Sequence, residues 1–152
     1  MFHITGVYSP SDGDPKLKSA LLNFNARLYG IESSDENNLI IGQSSTQLTF
    51  SLFKVLLNPG EKILLFDPAY ANYPEQIQTN QETHEIVYFP VFNAEKWTYA
   101  EDEDSLADEL EIFMEKEKPK LILFSSPDNP TGKMLPDRFV KRLLDHALKL
   151  DC

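Results

Sequence analysis

The chain has 152 residues, of which 41% are hydrophobic, and it carries a formal net charge of −10. This length is enough for one domain with a buried core. The excess of Asp and Glu over Lys and Arg argues against nucleic acid as a partner, because binding to phosphates needs basic residues. No apolar run approaches the ~20 residues that span a bilayer, so the sequence predicts no transmembrane helix and no membrane partner.

The ends of the chain and its scattered histidines favour a cytoplasmic protein without a metal site. The first residues lack a basic segment followed by an apolar one, which is not typical of a secretory signal. The single cysteine, Cys152, is the last residue and cannot form an internal disulfide. His3, His84 and His146 are far apart in the sequence, and we expect structural or surface roles for them.

Hydrophobic spacing predicts alternating helices and strands after a turn-rich segment, residues 1–14. The first helix is expected to begin at Pro15 and to end at Gly30. Short apolar segments predict strands at residues 38–42, 62–66, 83–89 and 121–124, with a loop or small hairpin around Trp97. Further helices are expected after residues 43–47, at residues 72–79, after the acidic residues 101–104, and from about residue 137.

This order of elements predicts the α/β fold class. Strands that alternate with helices form parallel βαβ units, and near-continuous apolar strands are covered by helices on both faces. We therefore expect a three-layer α/β/α arrangement with a mostly parallel sheet. Residues 15–152 are expected to form part of one larger domain, because the chain stops within the last helix without a closing strand.

Three polar loops, residues 43–47, 67–70 and 125–132, follow predicted strands. In open α/β sheets, ligands bind outside the carboxyl ends of the strands, so a site is expected where these loops meet.

The first of these loops offers an anion site. Ser44, Ser45 and Thr46 open a helix, and free amides, hydroxyls and the helix dipole favour a phosphate there. The alternative is ordinary helix capping by one serine. The loop lacks the glycine and lysine pattern of a P-loop, and the chain lacks a GxGxxG motif, so nucleotide sites are disfavoured.

The other two loops offer a planar ring and a directed amide. Tyr70 follows Pro68 and could stack on a planar ligand, or it could simply pack over the sheet edge. Pro130 restricts the backbone conformation of Asn129, and Gly132 permits a tight turn. The side-chain amide of Asn129 could therefore donate and accept hydrogen bonds in a fixed direction. The alternative is a turn between strand and helix. The three loops together suit a flat, phosphorylated heteroaromatic ligand.

Five motifs in order give the chain a family resemblance. They are Tyr8-x-x-x-x-Gly13, Ser44-Ser-Thr-Gln47, Leu56-Leu-Asn-Pro-Gly60, Asp67-Pro-Ala-Tyr70 and Ser126-Pro-Asp-Asn-Pro-Thr-Gly132. Over nearly all of its length the chain resembles the large domain of class I/II aminotransferases, which are fold-type I enzymes that use pyridoxal 5′-phosphate.

The resemblance implies roles for single residues. Asn129 matches the residue that hydrogen-bonds the hydroxyl of the cofactor ring, and Tyr70 matches the residue whose ring stacks on the pyridine. It also implies cis peptide bonds at Asp67–Pro68 and Asn129–Pro130.

For the cofactor phosphate, the resemblance implies Ser44 and Ser45, with Thr46 as a neighbour. Tyr8 matches the tyrosine that reaches the phosphate of the partner subunit's cofactor, which implies a homodimer.

The family's Schiff-base lysine has no counterpart among the motifs of this chain, and neither do its cofactor-binding aspartate and arginines. Lys133, Arg138 and Arg142 match none of them and are expected at the surface. We therefore expect an internal fragment, truncated at both ends relative to the family and inactive alone.

The resemblance implies that the full-length enzyme transfers an amino group from an amino acid to a 2-oxo acid. Two alternatives are open. One is another fold-type I reaction, such as that of a β-lyase, a decarboxylase or an aminocyclopropane-carboxylate-synthase-like enzyme. The other is the aminotransferase-like effector domain of a transcription regulator.

Overall fold

The computed structural model describes residue 8 and residues 10–31, 35–79, 84–99 and 102–152. The described residues fall into two compact units, one within residues 1–49 and the other within residues 50–152.

The first unit is built around helix α1 (Pro15–Tyr29), which confirms the prediction for this segment. The carboxylate of Asp14 accepts hydrogen bonds from two amides of the first turn, and Gly30 closes the helix in the left-handed conformation with φ 68°. Lys18 is buried on this helix, where its ammonium group contacts Asp12 and donates to the carbonyl oxygen of Glu36 at 3.1 Å. The buried charge therefore joins the helix to both flanking segments.

The prediction of a strand at residues 38–42 is wrong, since the structure forms no strand there. A 3-10 helix, Glu36–Asn38, occupies its start because the Asp35 carboxylate accepts from the Asn37 amide at 3.1 Å. The next residues pair with no strand in the described part of the chain, and Ile40 is 64% exposed. One amide, that of Ile41, bonds to the Asp12 carbonyl oxygen at 3.0 Å. Apolar, β-branched residues form a strand only where a neighbouring strand supplies the remaining hydrogen bonds.

The second unit contains a three-stranded parallel sheet. Its strands are β1 (Lys62–Asp67), β2 (Glu85–Pro90) and β5 (Leu121–Leu123), with β1 in the centre. Between β2 and β5 in the sequence, β3 (Phe92–Asn93) and β4 (Thr98–Tyr99) pair antiparallel, so the segment around Trp97, predicted as a loop or a small hairpin, is a hairpin.

The helices lie where the apolar spacing predicts them. They are α2 (Ser45–Leu56), α3 (Asn72–Thr79), α4 (Glu103–Glu117) and α5 (Asp137–Leu150). The carboxylate of Asp102 caps α4, as expected for an acidic helix start. Within the described residues, no helix is long and apolar enough to cross a membrane.

Alternate residues of β1 pack into two separate clusters on opposite faces of the sheet. Leu64 and Phe66 pack with α4 and α5 through residues such as Met114 and Phe139. Ile63 and Leu65 pack on the other side with Phe53, Leu57 and Ile77. Helices therefore cover both faces, and the predicted three-layer α/β/α arrangement is confirmed.

Candidate functional site

Two of the predicted loops leave the same edge of the sheet. Strands β1 and β5 are parallel neighbours, with Leu65 opposite Leu123, so the loops at residues 67–70 and 125–132 start side by side. Both loops line one small cavity whose walls are Phe66, Pro68, Ala69, Tyr70, Tyr73, Leu123, Phe124, Ser125 and Asp128. The second unit thus brings together the loops that carry Tyr70 and Asn129.

The cis peptide bonds of these loops match the prediction in part. Asp67–Pro68 is cis, as expected, but Asn129–Pro130 is trans and the second cis bond is Ser126–Pro127. The prediction for Asn129–Pro130 is wrong because this bond lies within a helix-like turn, in which the Gly132 amide donates to the Asp128 carbonyl oxygen at 2.8 Å. Turns of this kind are built from trans peptides.

Tyr70 lies half-buried at the end of β1. Its hydroxyl accepts a hydrogen bond of 2.8 Å from the side-chain amide of Asn72, at the start of α3. Its ring meets the ring of Tyr73 edge to face, with centroids 5.3 Å apart and planes at 87°. These contacts fix the ring at the sheet edge beside the cavity.

Asn129 lies at the tip of the neighbouring loop with its side chain exposed. Its backbone amide donates to the Ser125 hydroxyl at 3.3 Å, whereas its side-chain amide makes no hydrogen bond within the described residues. The loop closes at its base, where the Asp128 amide donates to the Lys133 carbonyl oxygen at 2.7 Å. The fold therefore holds the backbone and presents the amide of the side chain to solvent.

The loop also has supports that sequence reasoning missed. The Thr131 hydroxyl is buried and donates to the Asp128 carboxylate at 2.7 Å, and its amide donates to the same oxygen at 3.3 Å. An Asp followed three residues later by a Thr is the local signal that could have indicated this turn. The hydroxyl of Tyr99 donates to the Lys133 carbonyl oxygen at 3.1 Å, a contact across 34 positions that no local pattern shows.

In the first unit, Ser44 caps helix α2, as the capping alternative predicts. Its hydroxyl accepts a hydrogen bond of 3.3 Å from the Gln47 amide, while the Gln47 side chain accepts one of 3.1 Å from the Gln43 amide. The side chains of Ser44, Ser45 and Thr46 are exposed. The first amides of a helix have no partner within it, so this end can still bind an anion.

The remaining predicted residues occupy different environments. Tyr8, also in the first unit, is fully exposed. Lys133 and Arg138 are exposed, as expected. Arg142 is less solvent-facing than expected, because its guanidinium group donates to the carboxylates of Asp108 and Glu111 on α4.

Comparisons with known proteins place this geometry in a family. The family described as aminotransferase class I and II matches residues 1–152. An aspartate aminotransferase of Pyrococcus horikoshii is 27% identical over 140 residues, which cover 92% of this chain and 33% of that protein.

Two solved structures share the fold. A mutant aspartate aminotransferase of Thermus thermophilus superposes with a TM-score of 0.79 at 24% identity, covering 95% of this chain and 37% of that one. A C-S lyase from Staphylococcus hominis, described as bound to pyridoxal phosphate, gives 0.78 at 20% identity, covering 95% and 35%. The chain spans about a third of the length of the curated relatives it matches. Because the family match extends over all 152 residues, the chain belongs to the class I and II aminotransferases.

Proposed function

We propose that the protein containing these residues is a pyridoxal 5′-phosphate-dependent enzyme that transfers an amino group from an amino acid to a 2-oxo acid. One observation carries the proposal. The adjacent ends of β1 and β5 bear a fixed aromatic ring, Tyr70, and an exposed side-chain amide without a partner in the described residues, that of Asn129.

These two residues fit the ring of the cofactor. The amide N–H of Asn129 can donate to a ring hydroxyl oxygen, and the face of Tyr70 can pack on a flat heteroaromatic ring. When bound, pyridoxal phosphate supplies an electron-withdrawing ring that stabilises negative charge at the α-carbon of the amino acid. Asn129 and Tyr70 would orient that ring.

The phosphate group would be bound at the start of α2. Ser45 and Thr46 lie in the first turn of the helix, where free amides and the positive end of the dipole favour an anion. The hydroxyls of Ser44 and Ser45 add polar groups at the same end. Tyr8 would reach the cofactor phosphate of the partner subunit, so a homodimer is part of the proposal.

We further infer a cytoplasmic enzyme of which residues 15–152 form part of the cofactor-binding domain. The single cysteine, which cannot form an internal disulfide, supports the cytoplasmic assignment. The family match over the whole chain supports the domain assignment.

Binding can be tested with pyridoxine 5′-phosphate on the product of the complete reading frame that contains these residues. This compound keeps the ring hydroxyl and the phosphate but has no aldehyde, so surface lysines cannot react with it. We expect Asn129→Ala to raise the Kd about tenfold, as loss of one hydrogen bond does. Asn23→Ala, on the exposed side of α1, is the control and should bind as the unmodified chain does. Equal affinities of the Asn129→Ala and control variants would contradict the proposal.

The reaction itself is tested on the product of the complete reading frame that contains these residues. We expect a keto acid to form from the donor amino acid in equal amount to the amino acid formed from the 2-oxo acid. The fold is shared with a C-S lyase, so an amino acid with a sulfur substituent on its β-carbon is tried as well, and its cleavage to a thiol, ammonia and a 2-oxo acid without a new amino acid would indicate lyase chemistry instead.

A further inference from the structure

We propose that Tyr99 is a positioning residue, which holds the loop of residues 125–132 so that Asn129 can bind the cofactor ring. The inference rests on the proposed role of Asn129, and it adds a residue from a separate element, the β3–β4 hairpin.

The contact is made at the base of the loop. The Lys133 carbonyl oxygen accepts two hydrogen bonds, one of 2.7 Å from the Asp128 amide and one of 3.1 Å from the Tyr99 hydroxyl. The first bond closes the loop on itself. The second joins the closed loop to the hairpin, so the position of the loop depends on a group 34 residues away in the sequence.

Tyr99 is itself rigidly held. Only 7% of its surface is exposed, and it belongs to the core cluster on the α4 and α5 face of the sheet. Its ring packs edge to face on Phe92, its partner across the hairpin, with centroids 5.7 Å apart. Burial raises the pKa of the Tyr99 hydroxyl, which keeps it neutral and able to donate. A fixed donor of this kind restricts the carbonyl that it binds.

The restraint is transmitted to Asn129 through a short turn. Asp128 immediately precedes Asn129, and its carboxylate accepts from both the amide and the hydroxyl of Thr131. The Asp128 backbone also accepts from the Gly132 amide at 2.8 Å. Asn129 therefore lies inside a turn that three hydrogen bonds close, from Thr131 and Gly132 on one side to Asp128 on the other. If the base shifts, the tip shifts with it.

Such a shift would matter because a hydrogen bond to a ring is directional. Donor and acceptor must lie within about 3.2 Å and near linearity, and a displacement of about 1 Å removes much of the bond. Tyr99 would not touch the cofactor. It would preserve the distance between the Asn129 side-chain amide and the cofactor ring.

The first test needs no cofactor. In Tyr99→Phe the ring remains and the Lys133 carbonyl keeps its bond to Asp128, so the fold should persist. We expect the amides of Asp128 and Gly132 to exchange with deuterium severalfold faster than in the unmodified chain. Tyr88→Phe, on the half-exposed side of β2, is the matched control and should leave both rates unchanged. Unchanged rates in Tyr99→Phe would overturn the inference.

The second test asks whether Tyr99 acts through Asn129. We expect Tyr99→Phe to raise the Kd for pyridoxine 5′-phosphate about threefold to tenfold in the unmodified background, and to have no effect in the Asn129→Ala background. An equal effect in both backgrounds would show a general structural role and overturn the inference. Should Tyr99→Phe fail to fold, Thr131→Val is used instead, because it removes the hydrogen bond from the Thr131 hydroxyl to the Asp128 carboxylate in the same turn. It is expected to raise the Kd in the unmodified background and to have no effect in the Asn129→Ala background.

The two proposals fail in distinguishable ways. If Asn129→Ala leaves the Kd unchanged, the role of Asn129 in the proposed function is wrong, and the amide exchange rates alone decide whether Tyr99 holds the loop. If Asn129→Ala weakens binding but Tyr99→Phe does not, the proposed function stands and the inference about Tyr99 is overturned.

Discussion

Arg142 on α5 holds Glu111 on α4 through two nitrogens, with Nε at 2.9 Å and Nη2 at 2.7 Å from the same carboxylate oxygen. The same guanidinium group donates to the Asp108 carboxylate at 2.6 Å and to the Asp104 carbonyl oxygen at 3.2 Å. Fixed, multidentate contacts of this kind stabilise more than single surface ion pairs do. These contacts stabilise the packing of α5 against α4, the two helices that cover one face of the sheet.

We therefore expect Arg142→Gln to lower the Tm by a few degrees, because four contacts between α4 and α5 are lost together. The effect should be smaller in 1 M salt, which screens partly exposed charges. Arg138→Gln is the control, since this exposed residue makes one ion pair within the described part of the chain, with Asp104 at 3.0 Å. Thermal unfolding of the three chains at two salt concentrations checks the prediction, and equal Tm values for the two variants would contradict it.

Substitution of Phe139 tests the core between α5 and the sheet. Its ring is fully buried and lies 5.8 Å from that of Phe66. Phe139→Ala should reduce the free energy of unfolding by about 3–5 kcal/mol, since both the apolar contacts and the filled volume are lost. Leu148→Ala on the same helix, at a residue 80% exposed, should change it by no more than about 0.5 kcal/mol. Urea unfolding measures the free energy of unfolding of both variants. Similar decreases in the two would contradict the assignment of Phe139 to the core.

The parts of this fold that could be predicted are those that local sequence determines. Helix α1 begins at Pro15 after an Asp cap and ends before Gly30 because each signal acts on adjacent backbone groups. The strands of the sheet were predictable for a similar reason, as apolar runs such as residues 62–66 suit burial on both faces.

Features that depend on distant partners could not be predicted. Residues 38–42 have the composition of a strand but no pairing strand in the described part of the chain, so they stay irregular. The bond from Tyr99 to Lys133 joins segments that only the folded hairpin brings together. At the candidate site, the sequence indicated the loops of Tyr70 and Asn129 but not the supports beneath them.

Acidic pH should weaken the ion pair between Lys62 on β1 and Glu117 on α4. The Lys62 ammonium group lies 2.8 Å from the Glu117 carboxylate, and this hydrogen bond, with a second from Lys116, lowers the pKa of Glu117 below its ordinary value of 4.5. A lowered pKa in the folded state stabilises the protein above pH 4.5, and the stabilisation is lost as the pH falls through 4.5 toward the folded-state pKa.

Glu117→Gln should therefore be less stable than the unmodified chain at pH 7, and the difference should shrink below pH 4.5. Glu109→Gln, at an exposed position of the same helix, serves as control and should follow the unmodified chain at every pH. Free energies of unfolding in urea between about pH 3 and 7 measure this. A difference that does not change with pH would contradict the assignment to Glu117.

Ser44 offers a way to separate helix capping from phosphate binding. Ser44→Ala removes the oxygen that accepts from the Gln47 amide and should destabilise the chain by about 1 kcal/mol. Ser44→Asp keeps a capping oxygen and should retain the stability, but its negative charge should repel a phosphate at the same helix end. We therefore expect Ser44→Asp to unfold like the unmodified chain while binding pyridoxine 5′-phosphate at least tenfold more weakly. Ser19→Ala on α1 is the control for both measurements. Unchanged affinity in Ser44→Asp would mean that Ser44 caps the helix and does nothing more, because a phosphate bound beside a new carboxylate would have lost affinity.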